Sequence, residues 1–234
     1  MGSAQQTVLI TGANRGIGLS LCKEFIERKY TVFGSVRHES RDDPSVVELR
    51  KTGASVIEFD VTDENTIAAA FDSWGDKPLD ILINNAGALT PHRMWYDVTA
   101  EALIDKFRVN AMGPFIVSKI FMPALEKSRS PKIINIASNS GQIAANKDGK
   151  YMAYKVSKTA LNQVTMSLGM QMEMTKSKVI VVGIHPGWIP TKLTGMTGPD
   201  KMDVQIPKIV HTILSIGASQ NGGFMDAEGK RMEF

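Results

Sequence analysis

Cysteine is almost absent. Cys22 is the one cysteine among 234 residues, so no disulfide can form within the chain, as suits a reducing compartment. No apolar stretch approaches the roughly 18 residues that a membrane-spanning helix requires, and none is expected to span. Charge of one sign is lacking too. The 27 Lys and Arg nearly balance the 24 Asp and Glu, for a formal net charge of +3. The basic residues are scattered rather than clustered, which speaks against nucleic acid as a partner. The four histidines, His38, His92, His185 and His211, lie far apart and lack metal-ligand spacing, so no metal site is expected. The opening "MGSAQQT" has neither the basic nor the apolar segment of a secretory signal. Gly2 hints at myristoylation, but Gln6 stands where that signal wants Ser or Thr. The final "KRMEF" is neither a prenylation nor a peroxisomal signal. With no linker, low-complexity tract or internal repeat, the expectation is a single cytoplasmic domain over residues 1–234.

What the chain does have is alternation. Short apolar, β-branched runs at 7–11, 31–35, 55–61, 79–87, 132–138 and 178–187 read as strands, with "GGFM" as a short last one. Helical patterns fall at 16–29, 63–74, 99–126 (with a break near Met112–Pro114), 151–175 and 203–218. Apolar strands alternating with amphipathic helices imply a doubly wound, predominantly parallel sheet of about seven strands, an α/β Rossmann-type architecture with helices on both faces. Ligands in such folds bind beyond the carboxyl ends of the strands, so chemistry is expected just after strands one, two, four, five and six.

The first such place carries "TGANRGIG", residues 11–18. Gly12 allows a tight turn, Gly16 lets the backbone approach a pyrophosphate, and Gly18 permits close helix packing. The helix N-terminus that follows presents free N–H groups to an anion. Asn14, Arg15 and Ile17 complete the loop as candidate cofactor contacts. At the end of the second strand an NAD site would place a carboxylate for the ribose 2′-hydroxyl. Here "GSVRHE" puts Val36 and Arg37 at that point. Two guanidiniums, Arg15 and Arg37, suit a 2′-phosphate, which Arg grips with its planar fork. The expected cofactor is therefore NADP(H).

Seven elements in order, each behind the appropriate strand, make the whole sequence resemble the short-chain dehydrogenases/reductases. They are the glycine loop, Asp60-Val61, "NNAG" at 84–87, Asn110 in "FRVNAMGPF", Ser138 in "INIASNSG", Tyr154 and Lys158 in "YKVSKTALN", and "HPGWIPT" at 185–191. "HPGW" and the ending "SQNGGFMDAEGKRMEF" resemble the sniffer and C-factor-like carbonyl reductases within that family. The resemblance implies that Asp60 meets the adenine amino group, supported by the Val61 backbone. It implies that Asn84, Ala86 and Gly87 line the adenine-side ribose and stabilise the central strand. The stretch Pro186, Gly187, Ile189 and Thr191 would hold the nicotinamide amide, through the Ile189 backbone and the Thr191 hydroxyl.

"YMAYKVSK", residues 151–158, contains two Tyr/Lys pairs at helical i,i+4 spacing, Tyr151 with Lys155 and Tyr154 with Lys158. Spacing does not choose between them. The family pattern does, because Ser157 precedes Lys158 and Ala160 follows it. Ser138 stands 16 residues before Tyr154, a longer gap than usual in the family, and "NKDGK" at 146–150 is read as extra surface loop. The implied tetrad is Asn110, Ser138, Tyr154 and Lys158. Tyr154 donates a proton to the substrate oxygen, Ser138 steadies that oxygen, and Lys158 lowers the tyrosine pKa and holds the nicotinamide ribose. Asn110 would hold a water that links Lys158 to solvent. Ser140 could assist Ser138, while His185 has no catalytic role.

Substrate walls are expected at 88–98, 139–150 and 188–203, with Met94, Trp95, Tyr96, Trp188, Leu193 and Met196 facing a small hydrophobic carbonyl compound. Met166, Met170 and Met174, every fourth residue of the long helix, read as core. The resemblance also implies a homodimer through that helix and the one before it, with a monomer as the alternative. The expected activity is NADPH-dependent reduction of an aldehyde, ketone or quinone. Two alternatives stay open: an NAD-linked alcohol dehydrogenase, and a nucleotide-binding signalling protein with little turnover.

Overall fold

The computed structural model describes residues 5–40, 42–89 and 94–234. Gly2, His92 and the part of the 88–98 wall at 90–93 lie outside those residues. The strands are β1 (Thr7–Ile10), β2 (Thr31–Val36), β3 (Ser55–Glu58), β4 (Ile81–Asn84), β5 (Lys132–Ile136), β6 (Ile180–Ile184), β7 (Phe224–Met225) and β8 (Arg231–Met232). They form one sheet in the order β3-β2-β1-β4-β5-β6-β7-β8. Every pairing is parallel except that of β7 with β8. The helices are α1 (Gly16–Glu27), α2 (Pro44–Lys51), α3 (Glu64–Trp74), α4 (Ala100–Phe107), α5 (Gly113–Glu126), α6 (Met152–Met174) and α7 (Met202–Ser215).

The alternation of side chains along the central strands builds two cores. Val8, Ile10, Ile81, Ile83, Ile134, Ile136, Val182 and Ile184 face one way, onto Leu21 and Phe25 of α1, Val46 and Leu49 of α2, and Ile209 and Ile213 of α7. Leu9, Leu82, Ile133 and Val181 face the other, onto Ile67 and Trp74 of α3 and Val117 and Phe121 of α5. A sheet buried on both faces explains why its strands read as continuous apolar runs. Lys132 is buried at the start of β5, where its ammonium donates to the carbonyls of Ile213 and Leu214 at 2.8 and 3.0 Å. It thereby satisfies the carboxyl end of α7.

The structure departs from the sequence reading in three places. The described residues form eight strands, the last a two-residue antiparallel addition at the edge. α2 is a helix in a stretch where none was expected, started by Asp43 accepting from the Ser45 N–H and by Pro44 in its first turn. The methionine stripe is not core: Met170 and Met174 are 59% and 82% exposed, because they lie on the outward face of α6, whose other face packs Leu168 and Met172 into the core. The break expected near Met112–Pro114 is a π-helical turn, Arg108–Met112, joining α4 to α5.

Candidate active site

The sheet changes direction between β1 and β4, which lead to opposite halves of the molecule. The residues singled out in the sequence gather at the carboxyl ends flanking this point, as the crevice rule for such sheets requires. On the β1 side, the glycine loop is packed against its neighbours with almost no slack. A Cβ on Gly18 would lie 2.4 Å from the Gly12 carbonyl oxygen and 2.6 Å from Asn85 Nδ2, and one on Gly12 would lie 3.0 Å from Ala86 Cα. Asn85 fastens the loop, its Nδ2 donating to the carbonyls of Thr11 and Gly12 at 2.8 and 3.2 Å. Thr11 Oγ1 accepts from the N–H groups of Asn85 and Ala86, both at 3.0 Å. Asn14 Nδ2 donates to Ser45 Oγ at 2.7 Å and ties the loop to α2.

A Cβ on Gly16 would touch only Thr191, at 3.6 Å, so a groove runs between the loop and the segment after β6. At its end α1 begins with no side-chain cap and no acidic residue in its first turn. Its N-terminus is thus electrostatically suited to an anion. Beyond the ends of β2 and β3 lies a cleft of about 480 Å³ lined by His38, Glu39, Glu58, Phe59, Asp60, Thr62, Asp63, Thr66 and Ala69. The Asp60 carboxylate accepts from the Thr62 N–H and hydroxyl, both at 2.7 Å, and Val61 is buried behind it. Arg15 and Arg37 are both exposed at the rim. The Asp43 carboxyl is held below its ordinary value, first by hydrogen bonds from Ser45 and then by the charges of Lys192 and Arg15. Lys192, from the segment after β6, and Arg15 thus both lie within reach of the Asp43 carboxylate. These features fit a dinucleotide: a tight glycine loop, an open helix N-terminus, a cleft for a base, and cations at the ribose end.

On the β5 side, Ser138 follows the strand and caps the 3-10 turn Asn139–Gly141, accepting from the Ser140 N–H at 3.1 Å. Its hydroxyl also faces the Tyr154 phenol closely enough to lower the phenol's pKa. Lys158, one turn further along α6, is 5% exposed. Its Nζ donates to the Ile136 carbonyl at 2.7 Å and stands 5.8 Å from the centre of the Tyr154 ring. Burial draws the Lys158 pKa down to about 8. The Tyr154 pKa is raised, chiefly by burial, with the Ser138 hydroxyl offsetting part of this. The lowering expected from Lys158 is thus not seen in the chain by itself: loss of hydration of the phenolate dominates, and the ammonium sits over the ring face, away from the hydroxyl.

The other pair is built differently. Tyr151 precedes α6 in the left-handed region, at φ 54°, and Lys155 turns outward to the loop, where Asn146 and Asp148 accept from its Nζ. The "NKDGK" residues therefore hold Lys155 rather than simply lengthening a loop.

Asn110 lies in the π-helical turn, fully buried. Its Oδ1 accepts from the Ala88 N–H, and its Nδ2 donates to the Ala88 carbonyl and Ser157 Oγ, at 2.8, 2.8 and 2.9 Å. The side chain thus binds the loop after β4 to α6, with both amide hydrogens taken up by protein partners. Asn84 is likewise turned into the interior, donating to Asn135 Oδ1 at 2.9 Å and Ser118 Oγ at 3.1 Å. It can stabilise the strand, but buried in this way it does not line the adenine-side ribose site. Ile189 is buried, and the Thr191 N–H donates to Thr194 Oγ1 at 2.9 Å. His185 is without a side-chain hydrogen bond at Nδ1. Burial lowers its pKa, against the opposing charges of Asp200 and Asp226. Met94, Trp95, Tyr96, Trp188, Leu193 and Met196 are 38–70% exposed, forming a rim rather than a closed wall.

Sequence reasoning passed over Asn85, Thr11, Ser157 and Asp200 as site residues. The first and third stand inside motifs already quoted, "NNAG" and "YKVSK"; Thr11 opens the glycine motif itself.

A family model, short chain dehydrogenase, matches residues 6–202. The C-signal protein of Myxococcus xanthus is 30% identical over 152 residues, 65% of this chain and 90% of that protein. Among solved structures, carbonyl reductase Sniffer of D. melanogaster superposes with a TM-score of 0.91 at 28% identity, covering 99% of this chain and 100% of that one. An NADPH-bound carbonyl reductase from chicken fatty liver also gives 0.91, at 27% identity and the same coverage.

Proposed function

From the premise that the chain belongs to the short-chain dehydrogenase family, we propose that it is an NADPH-dependent carbonyl reductase acting on a small hydrophobic aldehyde, ketone or quinone. The observation that carries this reading is the convergence of Ser138, Tyr154 and Lys158 at the end of β5, across from the glycine loop. When bound, the nicotinamide supplies a hydride to the carbonyl carbon. Tyr154, with its pKa raised, keeps its phenolic proton at neutral pH and donates it to the carbonyl oxygen as charge gathers there. Ser138 hydrogen-bonds the same oxygen. Lys158, anchored on Ile136, holds the nicotinamide ribose hydroxyls and favours the phenolate that Tyr154 leaves behind. Gly12, Asn14, Arg15, Gly16, Ile17 and Gly18 bind the pyrophosphate, while Asp60 and Val61 take the adenine. Pro186, Gly187, Ile189 and Thr191 take the carboxamide end.

NADP(H) is favoured by Arg15 and Arg37, by the added charge of Lys192, within reach of Asp43 as Arg15 is, and by likeness to a reductase solved with NADPH. The exposed aromatic rim, Trp95 and Trp188 with Met94, suits an apolar substrate in an open mouth. Exposed Ile104, Phe107, Phe115, Met152 and Val156 on α4, α5 and α6 support a homodimer, to be read from the mass in solution. A second reading, a nucleotide-binding signalling protein, is favoured by the likeness to C-signal.

The test follows loss of NADPH absorbance with a panel of aldehydes, ketones and quinones, and repeats it with NADH. Turnover with NADPH supports the proposal. Tight NADPH binding without turnover on any of them would favour the signalling reading, and equal use of NADH would remove the 2′-phosphate argument.

A further inference from the structure

The segment after β6 leaves the site at Trp188 and returns to its own starting point at Asp200. The Trp188 N–H donates to Asp200 Oδ2 at 2.6 Å. The Asp200 N–H donates back to the Trp188 carbonyl at 3.2 Å. The other carboxylate oxygen, Oδ1, accepts from Gln205 Nε2 on α7 at 3.3 Å. Two glycines stand where the chain ends cross. A Cβ on Gly198 would fall 2.0 Å from the Trp188 carbonyl oxygen, and one on Gly187 would fall 2.7 Å from Asp200 Oδ2. No side chain fits at either place, so the crossing is a close-packed clasp with the carboxylate at its centre.

Within the closed loop, Thr194 Oγ1 accepts from the Thr191 N–H and donates to the Ile189 carbonyl, at 2.9 and 3.0 Å. The Met196 N–H donates to the Thr191 carbonyl at 2.7 Å. These bonds fix Ile189 and Thr191 relative to the clasp, and Thr191 in turn borders Gly16 across the groove. The Asp200 carboxylate itself bonds to the loop and to α7.

We propose that Asp200 is a positioning residue whose carboxylate closes residues 188–200 into a loop and so sets Ile189 and Thr191 at the nicotinamide end of the cofactor groove. The inference rests on the cofactor reading above. Its physical basis is that a short charge-assisted hydrogen bond to a backbone N–H is among the stronger single contacts available. Removing it leaves the loop's base held by one backbone bond.

The test uses two ligands and two variants, with equilibrium binding as the readout. NADPH spans the whole groove, whereas adenosine 2′,5′-bisphosphate occupies only the adenosine side. Asp200→Ala is expected to weaken NADPH by roughly tenfold or more, while the bisphosphate binds within about twofold of the parent. Asp200→Asn, whose amide oxygen can still accept from Trp188, is expected to recover most of the NADPH affinity. Equal weakening of both ligands, unchanged NADPH binding in Asp200→Ala, or an Asn variant no better than the Ala one would each overturn the proposal. Asp200→Asn keeps the test decisive if Asp200→Ala fails to fold. A parent protein that binds neither ligand would overturn the cofactor reading, and this proposal with it. Parent binding of both ligands without the variant pattern would overturn this proposal alone.

Discussion

Replacing Lys158 by Met should make the protein more stable at neutral pH and nearly inactive. The ammonium is 5% exposed, and its pKa is drawn from 10.5 to about 8 by burial. Each pKa unit is worth about 1.4 kcal/mol, so the buried charge costs about 3 kcal/mol of folding free energy wherever both states are protonated. Methionine has a similar length and no charge. It forfeits the bond to the Ile136 carbonyl, a loss of about 1 kcal/mol. The net expectation is a variant about 2 kcal/mol more stable than the parent at pH 7.

The sign reverses with pH. Between about 8 and 10.5 the unfolded parent still binds the proton that the folded parent has released. Parent stability therefore rises across that window relative to the variant. Above the window the burial cost is gone, and the variant should be the less stable by about 1 kcal/mol. Urea unfolding of both proteins from about pH 6 to 10.5 measures the difference directly, since groups common to both cancel. A flat difference across the window, or a parent more stable at pH 7, would refute the account of Lys158 as a costly buried ammonium. Such a trade of stability for chemistry is common at functional sites.

Tyr154→Phe should lower turnover on the order of a thousandfold, as loss of a general acid does, with NADPH titration nearly unchanged. Tyr151→Phe should stay within about twofold of the parent, and the opposite ranking would assign the proton donor to Tyr151 instead. Arg37→Asp should shift the ratio of NADPH to NADH affinity by roughly tenfold or more toward NADH; an unchanged ratio would remove Arg37 from 2′-phosphate recognition. Gly18→Ala puts a methyl 2.4 Å from the Gly12 carbonyl oxygen, so it should cost about 1–3 kcal/mol in a thermal melt and weaken NADPH. Parental values in both assays would show that the loop has more room than its geometry allows.

The fold was legible because strands buried on both faces must be apolar throughout. In β4, Ile81, Leu82 and Ile83 are all buried although they point alternately into the two cores. The glycine loop was legible for a related reason: close backbone approach leaves marks within a few residues, whereas i,i+4 spacing offered two Tyr/Lys pairs and only the family pattern chose between them. What stayed hidden depends on contacts distant in sequence. α2 is short, and nothing in "DPSVVELRK" shows that Val46 and Leu49 would meet the same core as Phe25. The methionines of α6 keep helical spacing whether or not anything covers them. Asn110 could be named from its motif, but not that Ala88 and Ser157 would occupy its amide. The direction of the Tyr154 shift likewise depends on how deeply the ring is buried, which no local pattern records.

The π-helical turn at Arg108–Met112 encloses one more residue than an α-helical turn would. α4 and α5 on either side therefore behave as two lengths of one rod with a spare residue wedged between them. The rod could be completed without it, so the surplus contributes nothing that helix geometry demands. Its effect is to thrust Asn110 sideways out of the regular spiral, into the seam where the loop after β4 meets α6. Such a wedge can be gained or lost by inserting or deleting a single codon.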